Sequence, residues 1–146
     1  MVFGMGRVGQ GAYDYLHGQY GDSVVGVEEN YARAVELRER GINCIHGDAL
    51  DRDFWEQTNV SGRRMILASL SNHRENLALV KLARELGFEG ALAVTSRYAD
   101  EASQLEAMGC IAFNVYADVG RGFAEQVIEQ APQAGELGEA PQPSRT

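Results

Sequence analysis

Short apolar runs alternate with helix-like patterns along this 146-residue chain. The runs are typical of strands that a parallel sheet buries on both faces. They lie at Met1–Phe3, Asp22–Val27, Ile42–Ile45, Met65–Ala68, Ala91–Val94 and Ile111–Phe113. The first helix is predicted to carry Val8, Ala12 and Leu16 on one face, and a short helix is predicted after Asp51. The other four helices are predicted over Tyr31–Arg40, from a Ser71 cap to about Leu86, over Asp100–Met108 and over Asp118–Gln130. The alternation predicts an α/β fold.

Glycine residues mark the ends of three of these helices. Gly41, Gly87 and Gly109 each follow a helical pattern and precede the next apolar run within a few residues. Glycine is common just beyond a helix, because it tolerates the left-handed conformation that the chain adopts there. The recurrence indicates βα units and argues against an all-helical bundle.

Six strands with intervening helices predict one particular sheet. We expect a Rossmann-like, doubly wound parallel sheet with strand order 3-2-1-4-5-6 in a single domain. Cys44 and Cys110 would then lie at opposite sheet edges, about 24 Å apart at ~4.8 Å per strand, and could not form a disulfide. We expect the domain to span residues 1–130. Residues 131–146 are polar and without periodicity, which predicts a disordered tail.

The turn after the first strand has the spacing of a nucleotide-binding motif. Residues 4–9 read Gly-Met-Gly-Arg-Val-Gly, which fits the G-x-G-x-x-G pattern between a strand and a helix. Gly4 permits the turn, Gly6 lets the backbone approach a pyrophosphate, and Gly9 allows close packing of helix and strand. A phosphate would lie on the free amides of the helix start. Arg7 could clamp that phosphate or point to solvent.

An acidic pair ends the second strand. Glu28 and Glu29 follow Val27, and Glu28 lies 19 residues after Gly9. The dinucleotide pattern has an acidic residue at about this distance, where it accepts hydrogen bonds from the ribose hydroxyls. The competing interpretation is a solvated carboxylate at a strand end. Because an acid here disfavours a 2′-phosphate, we expect NAD(H) or an adenine mononucleotide rather than NADP(H).

Further candidates follow the third and fourth strands. Asp48 and Ala49 come after the third strand, and Ser69 comes after the fourth. Ligands of open α/β sheets bind outside the carboxyl ends of the strands, near the point where the strand order reverses. Asp48 could reach the adenine side of a nucleotide, or it could merely neighbour a helix N-cap.

Composition narrows the function classes. The net charge is −8, with 21 acidic against 13 basic residues, so nucleic acid is not expected as a partner. An anionic ligand would have to be bound through local backbone donors. Neither a membrane-spanning run nor a signal peptide is expected. Two cysteines suit a reducing cytoplasm better than a disulfide scaffold.

These motifs together resemble a known family. The glycine turn of residues 4–9, the Gly-Val-Glu of residues 26–28 and the Gly-Asp-Ala of residues 47–49 are similar to the N-lobe of RCK domains, also called TrkA-N domains. The Gly-Asp-Ala after the third strand is the more specific part. Within this family, Arg7 of the turn and the Gly-Asp-Ala of residues 47–49 most resemble the sequences of the Kef-type potassium efflux branch.

The resemblance, over roughly residues 1–130, implies a cytosolic regulatory domain that is not an enzyme. Such a domain binds NAD(H), AMP or ATP and gates a membrane-embedded potassium channel or cation:proton antiporter. The implied phosphate contacts are Gly4, Met5, Gly6, Arg7, Val8 and Gly9. Glu28 would take the ribose and Asp48 with Ala49 the adenosine, and Glu29 and Ser69 are further expected cofactor-binding residues. Such domains usually form homodimers through the helix after the last strand.

Other residues have plainer interpretations. His17, His46 and His73 lack metal-ligand spacing, so no metal is expected. His73 could touch a ligand, although a surface position is favoured, and the same holds for Arg97. The last helix carries Val119, Phe123 and Val127 at four-residue spacing, which suits packing on its own sheet or a dimer contact equally. The competing function is an NAD-dependent oxidoreductase or its cofactor-binding fragment.

Overall fold

The computed structural model describes residues 1–131, and the predicted tail beyond them lies outside the described residues. The strands are β1 (Val2–Phe3), β2 (Gly26–Glu28), β3 (Cys44–His46), β4 (Met65–Ala68), β5 (Ala91–Ser96) and β6 (Ile111–Asn114). The helices are α1 (Arg7–Tyr20), α2 (Tyr31–Glu39), α3 (Arg52–Gln57), α4 (His73–Glu85), α5 (Ala99–Ala107) and α6 (Val115–Gln130). Two 3-10 turns lie at Gly21–Ser23 and Val60–Gly62.

The strands form one parallel sheet in the order β3-β2-β1-β4-β5-β6. This confirms the predicted strand order and the Rossmann-like α/β fold. Because β3 and β6 are the two edge strands, Cys44 and Cys110 lie far apart, and both are free. Burial raises the pKa of both thiols, which keeps them protonated at neutral pH.

Two apolar clusters cover the two faces of the sheet. Successive residues of a strand point to opposite faces, so Val2 and Phe3 of β1 belong to different clusters. Val2 packs with Tyr13 and Leu37 of α1 and α2. Phe3 belongs to the larger cluster, which includes residues of α3, α4 and α5, and it stacks on Trp55 with ring centroids 5.7 Å apart.

Strands β1 through β6 and helices α1 through α5 belong to one compact unit, Met1–Asn114. Helix α6 belongs to a second unit that begins at Val115. Within the described residues, no helix is both long enough and apolar enough to cross a membrane.

The inward face of α1 differs in part from the prediction, since Leu16 packs against the core but Val8 does not. Val8 is 42% exposed, whereas Gly9 and Tyr13 are buried. The reason is steric: a Cβ on Gly9 would overlap the carbonyl oxygen of Gly4, so the helix approaches β1 most closely at this glycine. Tyr13, one turn later, follows it inward, and its hydroxyl accepts from the amide of Asn43 at 2.8 Å.

The predicted cap of α4 was one residue out. Asn72, rather than Ser71, is the N-cap, and its side chain accepts from the amide of Glu75 at 2.9 Å. Serine and asparagine are both good N-caps, so adjacent candidates cannot be separated by residue type alone.

Candidate functional site

A cavity of about 380 Å³ lies at the carboxyl ends of the parallel strands. It contains all of the site residues predicted from sequence except Gly9, which packs beneath the turn. The lining members of that set are Gly4, Met5, Gly6, Arg7, Val8, Glu28, Glu29, Asp48, Ala49 and Ser69. The fold therefore brings residues from the ends of four strands into one space.

The glycine turn forms the floor of this cavity. Gly4 has φ +85°, and its amide donates to the carbonyl of Val27 at 3.1 Å. A Cβ on Gly4 would overlap the carbonyl oxygen of Ser69, so only glycine lets the turn pass this close to the end of β4. Gln10 donates from its side chain to the carbonyl of Met5 at 2.9 Å, which fixes the far side of the turn.

The start of α1 has no side-chain cap. Its N-cap is Gly6, and within residues 1–131 no side chain makes a capping hydrogen bond there. Amides at a helix start without an internal partner are the groups that bind phosphate in nucleotide sites, and the helix dipole adds to the attraction. The exposed side chain of Arg7 lies beside them.

Glu28 supports the turn as well as lining the cavity. One carboxylate oxygen accepts from the amide of Met5 at 3.2 Å, and the other accepts from the amide of Asn30 at 3.3 Å. The residue is only 8% exposed. Because each carboxylate oxygen has two lone pairs, both can still accept a hydroxyl proton. The motif spacing indicated a ribose contact but gave no sign of these backbone bonds.

The loop after β3 is fixed by its own hydrogen bonds. Asp48 accepts from the amide of Leu50 at 2.8 Å, whereas Asp51 caps α3 by accepting from the amide of Asp53. The buried indole of Trp55 donates to the carbonyl of Ala49 at 2.7 Å. Asp48 is thus an exposed residue on a rigid loop at the cavity, and it is not the cap itself.

Several lining residues were missed from the sequence. They are Arg33 on α2, Leu50, Leu70, Ser71, Glu75 on α4, and Arg97 directly after β5. Arg97 was expected at the surface, and it is exposed while also lining the cavity. Its position at the end of a strand was the available signal. Glu75 and Arg33 carry no such signal, because each lies in the first turn of a helix rather than at the end of a strand.

The buried side chain of Asn76 holds the far side of the cavity together. Its carbonyl oxygen accepts from the amide of Leu70 at 3.1 Å, and its amide donates to the carbonyl of Thr95 at 3.3 Å. The loop after β4 and the end of β5 are therefore joined through one side chain.

The three histidines do not line the cavity, and each bonds a partner within the protein. His73 bonds Gln104 of α5 at 2.9 Å, His46 bonds the carbonyl of Glu29 at 2.9 Å, and His17 contacts Asp22 at 3.3 Å. Among the described residues, no three histidine, cysteine, aspartate or glutamate side chains are placed to hold a metal ion.

A family model for the TrkA-N domain matches residues 1–115. The chain belongs to the TrkA-N domain family. The resemblance drawn from the glycine turn, Glu28 and the Gly-Asp-Ala loop is confirmed at this level, whereas assignment to the Kef-type branch stays a prediction. Comparison with curated protein sequences finds no match.

Solved structures confirm the fold of this TrkA-N domain. The NAD(P)-binding domain of an exopolyphosphatase-related protein from Archaeoglobus fulgidus superposes with a TM-score of 0.78 at 18% identity, over 88% of this chain and 97% of that one. The TrkA-N domain of the Escherichia coli inner membrane protein ybaL gives 0.74 at 22% identity, over 86% and 93%.

Part of the GsuK channel is also similar. GsuK bound to ADP superposes with a TM-score of 0.72 at 21% identity over 90% of this chain, but over only 34% of the GsuK chain. The GsuK channel bound to NAD gives 0.66 at 22% identity, over 76% of this chain and 20% of that one. This chain thus spans about a third or less of the GsuK protein it resembles.

Proposed function

We propose that this TrkA-N domain is a regulatory module that binds NAD(H) or an adenine nucleotide such as AMP or ATP. The observation that carries the proposal is the pairing of uncapped helix amides at Gly6 and Arg7 with the carboxylate of Glu28 in one cavity. The amides suit a phosphate, and the carboxylate one strand away suits a ribose. The ADP and NAD found in GsuK support the same ligand class.

The proposed role is sensing. A ligand shifts a conformational equilibrium only if it binds two states with different affinity. We propose that nucleotide binding does this here, and that a membrane-embedded potassium channel or cation:proton antiporter reads the shift at the cytoplasmic face of the membrane. The family assignment and the similarity to a channel regulator support this role. An oxidoreductase remains the competing function, and it would be favoured by reduction of a substrate with NADH.

Homodimerisation through α6 is part of the proposal. Val119, Phe123 and Val127 are 60%, 70% and 48% exposed, and none of the residues of α6 is buried. A helix of 16 residues is marginally stable by itself, so an exposed apolar stripe along it calls for a partner. We propose that a second copy of this chain supplies that partner.

Replacing Glu28 tests the ligand site. Glu28→Gln keeps an acceptor for one of the two backbone amides, sets an NH2 group against the other and removes the charge, so affinity for AMP and NAD should fall by about 1–3 kcal/mol, the value of a charge-assisted hydrogen bond. Glu39→Gln, an exposed change at the end of α2, is the matched control. Calorimetric titration of AMP, ATP, NAD, NADH and NADP measures both.

Two outcomes would count against the site. Equal affinities for Glu28→Gln and the wild type would remove Glu28 from it. Tighter binding of NADP than of NAD would contradict the ribose contact, because a 2′-phosphate would meet the carboxylate. Thermal unfolding of each variant separates a loss of binding from a loss of folding.

A further inference from the structure

Met5 lies between the first two glycines of the turn and is held by three contacts. Its side chain is fully buried in the cluster on the α1 and α2 face of the sheet. Its amide donates to Glu28 at 3.2 Å, and its carbonyl accepts from the side chain of Gln10 at 2.9 Å. A Cβ on Gly26 would overlap the sulfur of Met5, so β2 leaves room for this side chain. Met5 is therefore fixed from both β2 and α1.

Gln10 donates to two successive carbonyls at the start of α1. Its backbone amide donates to the carbonyl of Gly6 at 2.8 Å, and its side-chain amide donates to the carbonyl of Met5. The second bond continues the hydrogen bonding of the helix one residue into the turn. Gln10 is half-buried and lies outside the cavity lining that residues 1–131 form. An effect of Gln10 on a ligand would therefore pass through Met5.

The turn needs these contacts because a glycine lies on each side of Met5. Gly4 has φ +85°, and a Cβ on Gly6 would meet no atom within 4 Å. Glycine loses more conformational freedom than other residues when it is ordered. The amides at the start of α1 bind a phosphate together only when they point toward the same place. Groups held in place before binding cost less to order when a ligand arrives.

We infer that Gln10 is a positioning residue for phosphate binding. Through the carbonyl of Met5 it holds the amides at the start of α1 in the arrangement that a phosphate requires, and Glu28 holds the amide side of the same residue. This inference rests on the proposed nucleotide-binding function of the cavity. It adds a residue outside the cavity that controls binding at the phosphate end.

Calorimetric titration of inorganic pyrophosphate, AMP and adenosine into the full chain tests the inference. Gln10→Met keeps the length of the side chain and removes its donor. Gln19→Met makes the same change at an exposed position near the end of the same helix, so it is the matched control. Gln10→Ala removes the donor without adding a thioether, so it repeats the test if methionine packs badly at this position.

The expected results differ between ligands. Gln10→Met should weaken the binding of pyrophosphate and AMP by the same factor, about three- to tenfold, the range of one hydrogen bond. Adenosine affinity should stay the same, because adenosine has no phosphate to place on the turn. In the ligand-free chain the amide of Met5 should exchange its hydrogen faster in Gln10→Met than in the wild type, since the turn opens more often. Gln19→Met should match the wild type in every measurement.

The outcomes also separate this inference from the proposed function. An unchanged pyrophosphate affinity in Gln10→Met, or an equal loss in Gln19→Met, would overturn the positioning role alone. An adenosine loss as large as the pyrophosphate loss would do the same, because the effect would then not be specific to the phosphate. A wild type that binds neither AMP nor pyrophosphate would overturn the proposed function as well.

Discussion

Asn76 is a buried polar residue whose side chain connects two strands at the candidate site. It is 3% exposed and bonds both Leu70 and Thr95. Asn76→Leu should lower the free energy of unfolding by about 1–3 kcal/mol, because the amide of Leu70 and the carbonyl of Thr95 lose their partner in a buried place. Urea denaturation measures the change.

The conservative variant provides the control for this residue. Asn76→Asp keeps the oxygen that accepts from Leu70 but sets a buried carboxylate oxygen against the carbonyl of Thr95, so this variant should be less stable than the wild type at neutral pH and should recover stability at acidic pH, where a protonated carboxyl can donate to Thr95. Unchanged stability in Asn76→Leu would show that the loop after β4 is held by other contacts.

Helix periodicity alone could not have revealed Asn76. The apolar stripe of Leu77, Val80 and Ala83 indicated α4 and its approximate inward face, and Val80 and Ala83 are indeed buried. A polar residue beside such a stripe is ordinarily assigned to solvent. Only the position of the two neighbouring strand ends shows what its amide reaches. The backbone bonds of Glu28 were hidden for the same reason.

At the scale of the element, Gly9 determines how closely α1 approaches the sheet. Gly9→Ala would place a Cβ against the carbonyl of Gly4, so the helix or the phosphate-binding turn must move. We expect a loss of about 1–3 kcal/mol in the free energy of unfolding, typical of overpacking. Nucleotide affinity should fall as well, because the amides of the turn shift with the helix.

The same helix offers a matched substitution. A Cβ on Gly11 would meet no atom within 4 Å, so Gly11→Ala should stabilise the chain by up to about 1 kcal/mol through helix propensity. Thermal and urea unfolding of the two variants should therefore move in opposite directions. Equal stability of the two variants would refute the packing role of Gly9.

The positions of the helices and strands were more predictable from sequence than the face that each helix turns toward the sheet. The ends of α2, α4 and α5 lie two residues before the glycines that were expected to follow them, and the strand order is as predicted. The inward face of α1 was predicted only in part, because the interpretation followed its apolar residues: Leu16 packs against the core, whereas Val8 is exposed. In this helix a glycine makes the closest contact, and an absent side chain leaves no mark in a hydrophobic pattern.

At the scale of the whole molecule, the net charge of the chain and the groups that suit an anionic ligand come from different residues. The chain carries a net charge of −8, yet its cavity presents helix amides and three arginines. The residues that could be assigned from sequence belong to a motif with fixed spacing. Arg33, Glu75 and Arg97 come from three separate parts of the chain, and only the folded sheet places them around one cavity. Motif spacing therefore identifies half of the site.

The oligomeric state tests the proposed homodimerisation through α6. Phe123→Asp places a charge at the centre of the exposed stripe of α6, so the dimer dissociation constant should rise at least about tenfold, as for a central interface residue. Tyr15→Asp is the control, because Tyr15 on α1 is 71% exposed, against 70% for Phe123. Light scattering over a concentration series measures the mass of each variant. A wild type that stays monomeric would rule out α6 as the dimer contact. Equal dissociation of both variants would do the same, because it would show that exposed aromatic area in general, and not the apolar stripe of α6, affects the association.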